Sequence, residues 1–205
     1  MKIRKIDFSD AQLSLFADGV NMAYKARSND SIPYKPIELD ELRELVTSES
    51  TVPNIYVMED NGVFAGGVIC LYAYSKEKNL KIAKISKVFS LPKYQKKGIA
   101  SDLLKYAEEN ARTDGMQIMQ LDVANNYLPA VNLYKKMGYL PFSVYANEPK
   151  TYYFIRFIKS ISPYKFSDFK RLLSLIRSKA VFFLLFKKDS SPSWFSKYVY
   201  KKLKG

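Results

Sequence analysis

Val88-Phe89-Ser90-Leu91-Pro92-Lys93-Tyr94-Gln95-Lys96-Lys97-Gly98-Ile99-Ala100-Ser101 joins an apolar strand to a helix through a short basic loop. Pro92 has no N–H to donate and ends the strand. Gly98 opens the helix, and Ile99, Leu103, Leu104 and Ala107 recur at helical spacing until Asp114-Gly115 closes it. A tight turn into a helix leaves several backbone N–H groups without an intrahelical acceptor, all at the positive end of the helix dipole. Small residues at Gly98 and Ala100 let an anion come close to the backbone, and Lys96 and Lys97 add positive charge. A pyrophosphate suits such a cradle. A solvated basic loop that merely starts a helix is the plainer reading of the same residues.

Working outward, the strand feeding this loop covers residues 80–91. Strict alternation puts Ile82, Lys84, Ser86, Val88 and Ser90 on one face, and Ala83, Ile85, Lys87, Phe89 and Leu91 on the other. Before it, 54–58 and 63–74 flank Asn61-Gly62, a strong hairpin signal. Earlier still, 3–7 reads as a strand, and a helix covers 10–26 on the spacing of Leu13, Phe16, Ala17, Val20 and Tyr24. A short helix covers 39–46. Downstream, 116–123 is a strand, 130–137 a helix stopped at Gly138, and 139–145 and 151–158 are two further strands. The order predicts an α/β (α+β) domain over residues 1–158, a mixed central sheet flanked by helices.

Composition removes many chemistries. The chain has no histidine and one cysteine, Cys70. Triads built on Ser-His-Asp or Cys-His, His-based zinc and a His general base are therefore excluded. No metal site is expected, and Cys70, inside an apolar run, reads as a small buried hydrophobe. The start of the sequence lacks an apolar secretory stretch and its longest uncharged apolar run is too short to span a bilayer, so a cytoplasmic protein is the expectation.

The loop and a second segment together resemble the signatures of the GCN5-related N-acetyltransferase (GNAT) superfamily, over about residues 3–158. The first signature is the strand, proline, aromatic and Gln-x-x-Gly-x-Ala run from Phe89 to Ala100. The second is Ala130-Val131-Asn132-Leu133-Tyr134-Lys135-Lys136-Met137-Gly138-Tyr139. The resemblance implies a GNAT acyl-CoA acyltransferase fold and transfer of an acetyl group from acetyl-CoA to a primary amine of a small molecule, amino sugar or peptide. It implies that the backbone of Lys96, Lys97, Gly98, Ile99, Ala100 and Ser101 holds the CoA pyrophosphate. The backbone of Val88, Phe89 and Ser90 would pair with the pantetheine arm, and a backbone N–H nearby would polarise the thioester carbonyl. Tyr134 would give a proton or a hydrogen bond to the departing thiolate; a phenol is protonated at neutral pH and suits that task.

Two positions depart from the family pattern. An asparagine that commonly contacts the cofactor is replaced by Tyr127, with Asn125 and Asn126 just before it. The strand position that often carries a glutamate base is Ser86, and 80–91 holds no carboxylate. Glu59, Asp60, Asp122 or a water chain remain as bases. A lysine-like amine is neutral in about one molecule in a few thousand at pH 7, a handicap of about 4–5 kcal/mol, whereas an α-amine loses only about 1 kcal/mol. A site without a strong base therefore suits a weaker amine, such as an amino sugar or an N-terminus. The same departures sustain a second reading, a CoA-binding membrane-peripheral or regulatory module with little turnover.

Residues 159–205 lie beyond the resemblance and read as a basic amphipathic helical extension. Residues 150–205 carry 14 Lys and Arg against two acidic residues, nearly all of the chain's net charge of +13. Phe169, Leu172, Leu173, Ile176, Ala180, Phe183 and Leu184 form an apolar stripe. Trp194, Phe195, Tyr198, Val199 and Leu203 form another beside Lys197, Lys201, Lys202 and Lys204. Packing on the core, self-association and an anionic membrane surface all fit such helices. No nucleic-acid motif accompanies the charge, and nucleic acid is not expected as a partner.

Overall fold

The computed structural model describes residues 1–28, 35–75, 80–146 and 153–162. In chain order the elements are β1 (Lys2–Lys5), α1 (Asp10–Lys25), α2 (Leu39–Thr47), β2 (Val52–Asp60), β3 (Val63–Ser75) and β4 (Leu80–Ser90). A 3₁₀ turn (Pro92–Tyr94) leads into α3 (Ile99–Thr113), followed by β5 (Ile118–Ala124), α4 (Leu128–Lys136), β6 (Leu140–Ala146) and β7 (Tyr153–Ser160). The strands form one mixed seven-stranded sheet in the order β1-β2-β3-β4-β5-β7-β6. The chain forms two compact units. One comprises residues 1–120 with 160–162, and the other, among the described residues, 121–159. The tail expected over 159–205 lies, from residue 163 onward, outside the described residues.

In the first unit, β1 to β4 make an antiparallel meander. Asn61 and Gly62 both take positive φ, 50° and 79°, the pair of left-handed residues that a two-residue hairpin turn requires. Tyr56 meets Tyr106 of α3 edge-on at 5.2 Å, so α3 covers the sheet face that carries Tyr56, Val68 and Cys70. Phe16 of α1 meets Phe89 edge-on at 5.3 Å and covers the opposite face. Close approach on both faces depends on glycine. A Cβ at Gly66 would lie 2.6 Å from Ile99 Cγ2 and from the Phe89 carbonyl; one at Gly67 or Gly19 would lie 2.7 Å from the Phe89 ring.

The alternation expected along 80–91 breaks at one point. Gly67 pairs with Phe89 and Ile69 with Ser86, so Lys87 and Val88 together oppose the single residue Val68. Lys87 takes φ +49°, which is costly for a side chain with a Cβ. This bulge reverses the parity of β4. Ala83 and Ile85, paired with Tyr72 and Cys70, share the α3 side, whereas Phe89, two steps along the same expected face as Lys87, points to α1.

Element ends differ from the sequence expectation by at most two residues. The clearest case is α4, which starts at Leu128 rather than 130 because Pro129 is accommodated in the first turn, where its missing N–H costs nothing. The last strand extends through Ser160. Ile161 is buried, donates its N–H to the Gln117 carbonyl and accepts from Arg112 Nε.

Candidate functional site

The loop after β4 is held from below. Tyr94 is buried, and its hydroxyl donates to Asp60 at the end of β2, 2.8 Å away. The Lys93 and Lys97 ammonium groups sit over its ring at 4.8 and 5.3 Å. The tyrosine thus ties a basic loop to the hairpin end while Gln95, Lys96, Lys97 and Gly98 stay exposed.

Beyond that anchor the backbone turns through two left-handed residues, Lys96 (φ 61°) and Gly98 (φ 84°). Gly98 is the N-cap of α3, and no side chain caps the helix. The first helical hydrogen bond is Asp102 N–H to Gly98 O, 3.0 Å. The amides of Ile99, Ala100 and Ser101 precede it and have no carbonyl one turn back to donate to. A Cβ at Gly98 would have only Asp102 Oδ2, at 3.8 Å, within reach, so the space over the loop is open. Asp102 is itself paired with Lys105, 3.6 Å. An uncapped helix start, an open glycine and flanking lysines fit a pyrophosphate.

The first unit thus brings together Lys96 to Ser101 and the strand residues Val88, Phe89 and Ser90. Phe89 is buried under α1, which leaves its backbone, not its ring, for any ligand. Val88 and Ser90 are half-buried.

Tyr127 and Tyr134 belong to the second unit, both on the α4 segment. Tyr127 is the N-cap residue of α4, with its carbonyl accepting from Ala130 and Val131 at 3.2 Å each. Tyr134 is buried in an aromatic cluster, its ring 5.9 Å from Tyr139 and 6.1 Å from Phe157. Asn125 is buried and committed to the start of β7. Its Oδ1 accepts from Tyr153 N–H at 2.8 Å, and its own N–H donates to the Tyr153 carbonyl at 2.8 Å.

Each carboxylate named as a base has a partner. Glu59 is bound by Arg4 at 2.8 Å, which holds its carboxyl below the usual range. Asp60 accepts from Tyr94. Asp122 accepts both from Arg156, at 2.8 and 2.9 Å, and from the Tyr145 hydroxyl, whose burial pushes it up to about 12. Cys70 is fully buried, and burial pushes its thiol up to about 12, so it is no nucleophile at neutral pH. Sequence reasoning missed Glu41 of α2. Its Oε1 lies 3.2 Å from Nζ of Lys87, the bulge residue next to Val88. Only the tertiary fold brings a carboxylate from 46 positions away to β4.

A bulged strand, an anchored basic loop and an uncapped helix start together give an α/β scaffold whose loop geometry fits a bound anion. The family model for the acetyltransferase (GNAT) family matches residues 21–139, and the chain belongs to this family. It is a GNAT acetyltransferase, a family whose acyl donor is acetyl-CoA. The fold is shared with an N-acetyltransferase of Staphylococcus aureus Mu50, at TM-score 0.60 and 17% identity over 78% of this chain and 98% of that one. It is shared with the ribosomal-protein-S18-alanine N-acetyltransferase of Escherichia coli, at 0.60 and 16% over 78% and 94%. An aminoglycoside 6'-N-acetyltransferase complexed with coenzyme A superposes at 0.60 and 15% over 80% and 98%. No curated protein matches the sequence.

Proposed function

We propose that this acetyltransferase transfers the acetyl group of acetyl-CoA to a weakly basic primary amine, either an amino sugar or a peptide N-terminus. The observation that carries the donor half is the uncapped start of α3 at left-handed Gly98. Acetyl-CoA supplies an acyl carbon already activated as a thioester. The amides of Lys96 to Ser101 hold its pyrophosphate, and the backbone of Val88 to Ser90 aligns its arm. Tyr134 donates a hydrogen bond to the leaving sulfur. The backbone N–H next to the bulge polarises the carbonyl under attack. Tyr127 stands where relatives place a cofactor-binding asparagine and takes a contact with the donor.

Support for the acceptor class comes from the partnered state of Glu59, Asp60 and Asp122. None offers an unengaged carboxylate, and an amine that is partly neutral at pH 7 needs least help. Two fold relatives act on an alanine of a ribosomal protein and on aminoglycosides, acceptors of these two kinds. The test is thiol release from acetyl-CoA against a panel of amines. Turnover with an Ala-initiated peptide or an aminoglycoside at least about tenfold above lysine side-chain analogues is expected. Preference for strongly basic amines would contradict it. Acetyl-CoA binding without turnover of any amine would favour a regulatory module instead.

For the part of the 159–205 extension that follows β7 and the buried Ile161, from residue 163 onward, the proposal is a peripheral anchor on a cytoplasmic membrane face, supported by the aromatic and basic sequence of the tail. The full chain is expected to co-sediment with anionic vesicles, less so as salt rises, and removal of 190–205 is expected to cut that binding while sparing acetyl-CoA affinity. Absence of vesicle binding at low salt rejects the anchor. A change of oligomeric state on truncation would indicate self-association.

A further inference from the structure

The ion pair between Glu41 and Lys87 has no part in holding the donor, yet it is built onto the one irregular point of β4. If the pyrophosphate lies at Lys96 to Ser101 and the arm runs back along Ser90 to Val88, the thioester end of the donor comes to rest at the bulge. Resting on that reading, we propose that Glu41 is the acceptor-recognition residue: its carboxylate binds the ammonium form of the incoming amine, and Lys87 is the internal cation that holds this position until the acceptor arrives.

Three observations point there. Lys87 keeps a left-handed backbone although any non-glycine residue is strained in it, the kind of strain that gathers at functional positions. Its side chain is three-quarters buried while that of Glu41 is nearly half exposed, so an incoming cation can reach the carboxylate from solvent. The cation of α2 itself, Arg43, is already held by Asp10 at 2.7 Å and by Asp40, which leaves Lys87 of β4 as the partner of Glu41. An amine that displaces Lys87 Nζ from Glu41 is brought up beside Val88, and it attacks from the neutral form in equilibrium with the bound ammonium, its proton passing to water.

The roles of the two residues are opposed, and that makes the proposal testable. The full chain is assayed for thiol release with acetyl-CoA and three probes: an Ala-initiated peptide, kanamycin, and hydroxylamine, which is uncharged at neutral pH. Glu41→Gln is expected to raise KM for the cationic probe that is turned over by roughly tenfold, the size of one charge-assisted hydrogen bond, with little change in kcat. Lys87→Met is expected to lower the same KM, because Glu41 loses its competitor, and Glu41→Asp to recover part of the loss. A pair that merely fastens α2 to the sheet would raise KM in both variants together with a lower Tm, and that result overturns the proposal. An unchanged KM in Glu41→Gln overturns it too, as does turnover of hydroxylamine with neither cationic probe accepted. No thiol release from any probe would defeat the acetyl-transfer reading itself, and this proposal with it.

Discussion

Gly98→Glu is expected to abolish acetyl-CoA binding, with a loss of at least about 100-fold in affinity. Two effects combine. A non-glycine residue held at the φ of 84° seen for Gly98 costs about 1–2 kcal/mol. The larger effect is a carboxylate set where a pyrophosphate should lie; at 4 Å and an effective dielectric near 20, a pair of like charges repels by about 4 kcal/mol, before screening by solvent at this exposed loop reduces it. Gly98→Ala separates them. Its Cβ meets nothing closer than Asp102 Oδ2 at 3.8 Å, so it carries the strain without the charge and should weaken binding only a few-fold, by about 1 kcal/mol or less. Calorimetric titration checks both. Equal, intact affinity in the two variants would remove the donor from the α3 start.

Tyr134→Phe is expected to lower kcat by about 100-fold, the lower end of the range for loss of a general acid, with acetyl-CoA affinity nearly intact. The phenyl ring keeps its contacts with Tyr139, edge-on, and with Phe157, tilted, so the packing of the aromatic cluster is retained. Stability and turnover therefore report different things at this residue. A variant that melts lower but turns over normally would make Tyr134 a packing residue of the aromatic cluster.

The parts of this fold that were legible in the sequence are those fixed by local chemistry. Asn61-Gly62 demands a tight hairpin, Pro92 cannot continue a ladder, and Gly98 is where the chain can enter a helix left-handed. The donor cradle is local in the same sense, being the backbone of one short loop. The bulge was not legible. Lys87 and Val88 sit in a run that goes polar-polar-apolar-apolar from Ser86 to Phe89, a break in alternation that does not by itself show which residue is extra. The insertion is recorded only in the pairing with β3, where Gly67 and Ile69 face residues three apart on β4.

Glu41 was invisible for a related reason. It sits in an acidic helix with Asp40 and Glu44, where a solvated face is the natural expectation, and its relation to Lys87 arises from packing across the chain. The anchoring of Tyr94 by Asp60 is similar. The aromatic was conspicuous after Pro92, but that its hydroxyl is spent on the hairpin end, removing Asp60 as an unengaged base, needed the fold.

The most direct test of the donor site is a titration of the isotopically labelled full chain with acetyl-CoA, followed by backbone amide shifts. Direct hydrogen bonds from the backbone to a pyrophosphate require the largest changes at Lys96, Lys97, Gly98, Ile99, Ala100 and Ser101, with smaller ones at Val88 to Ser90. Large shifts elsewhere, with the amides at the start of α3 unmoved at saturation, would contradict the proposed site.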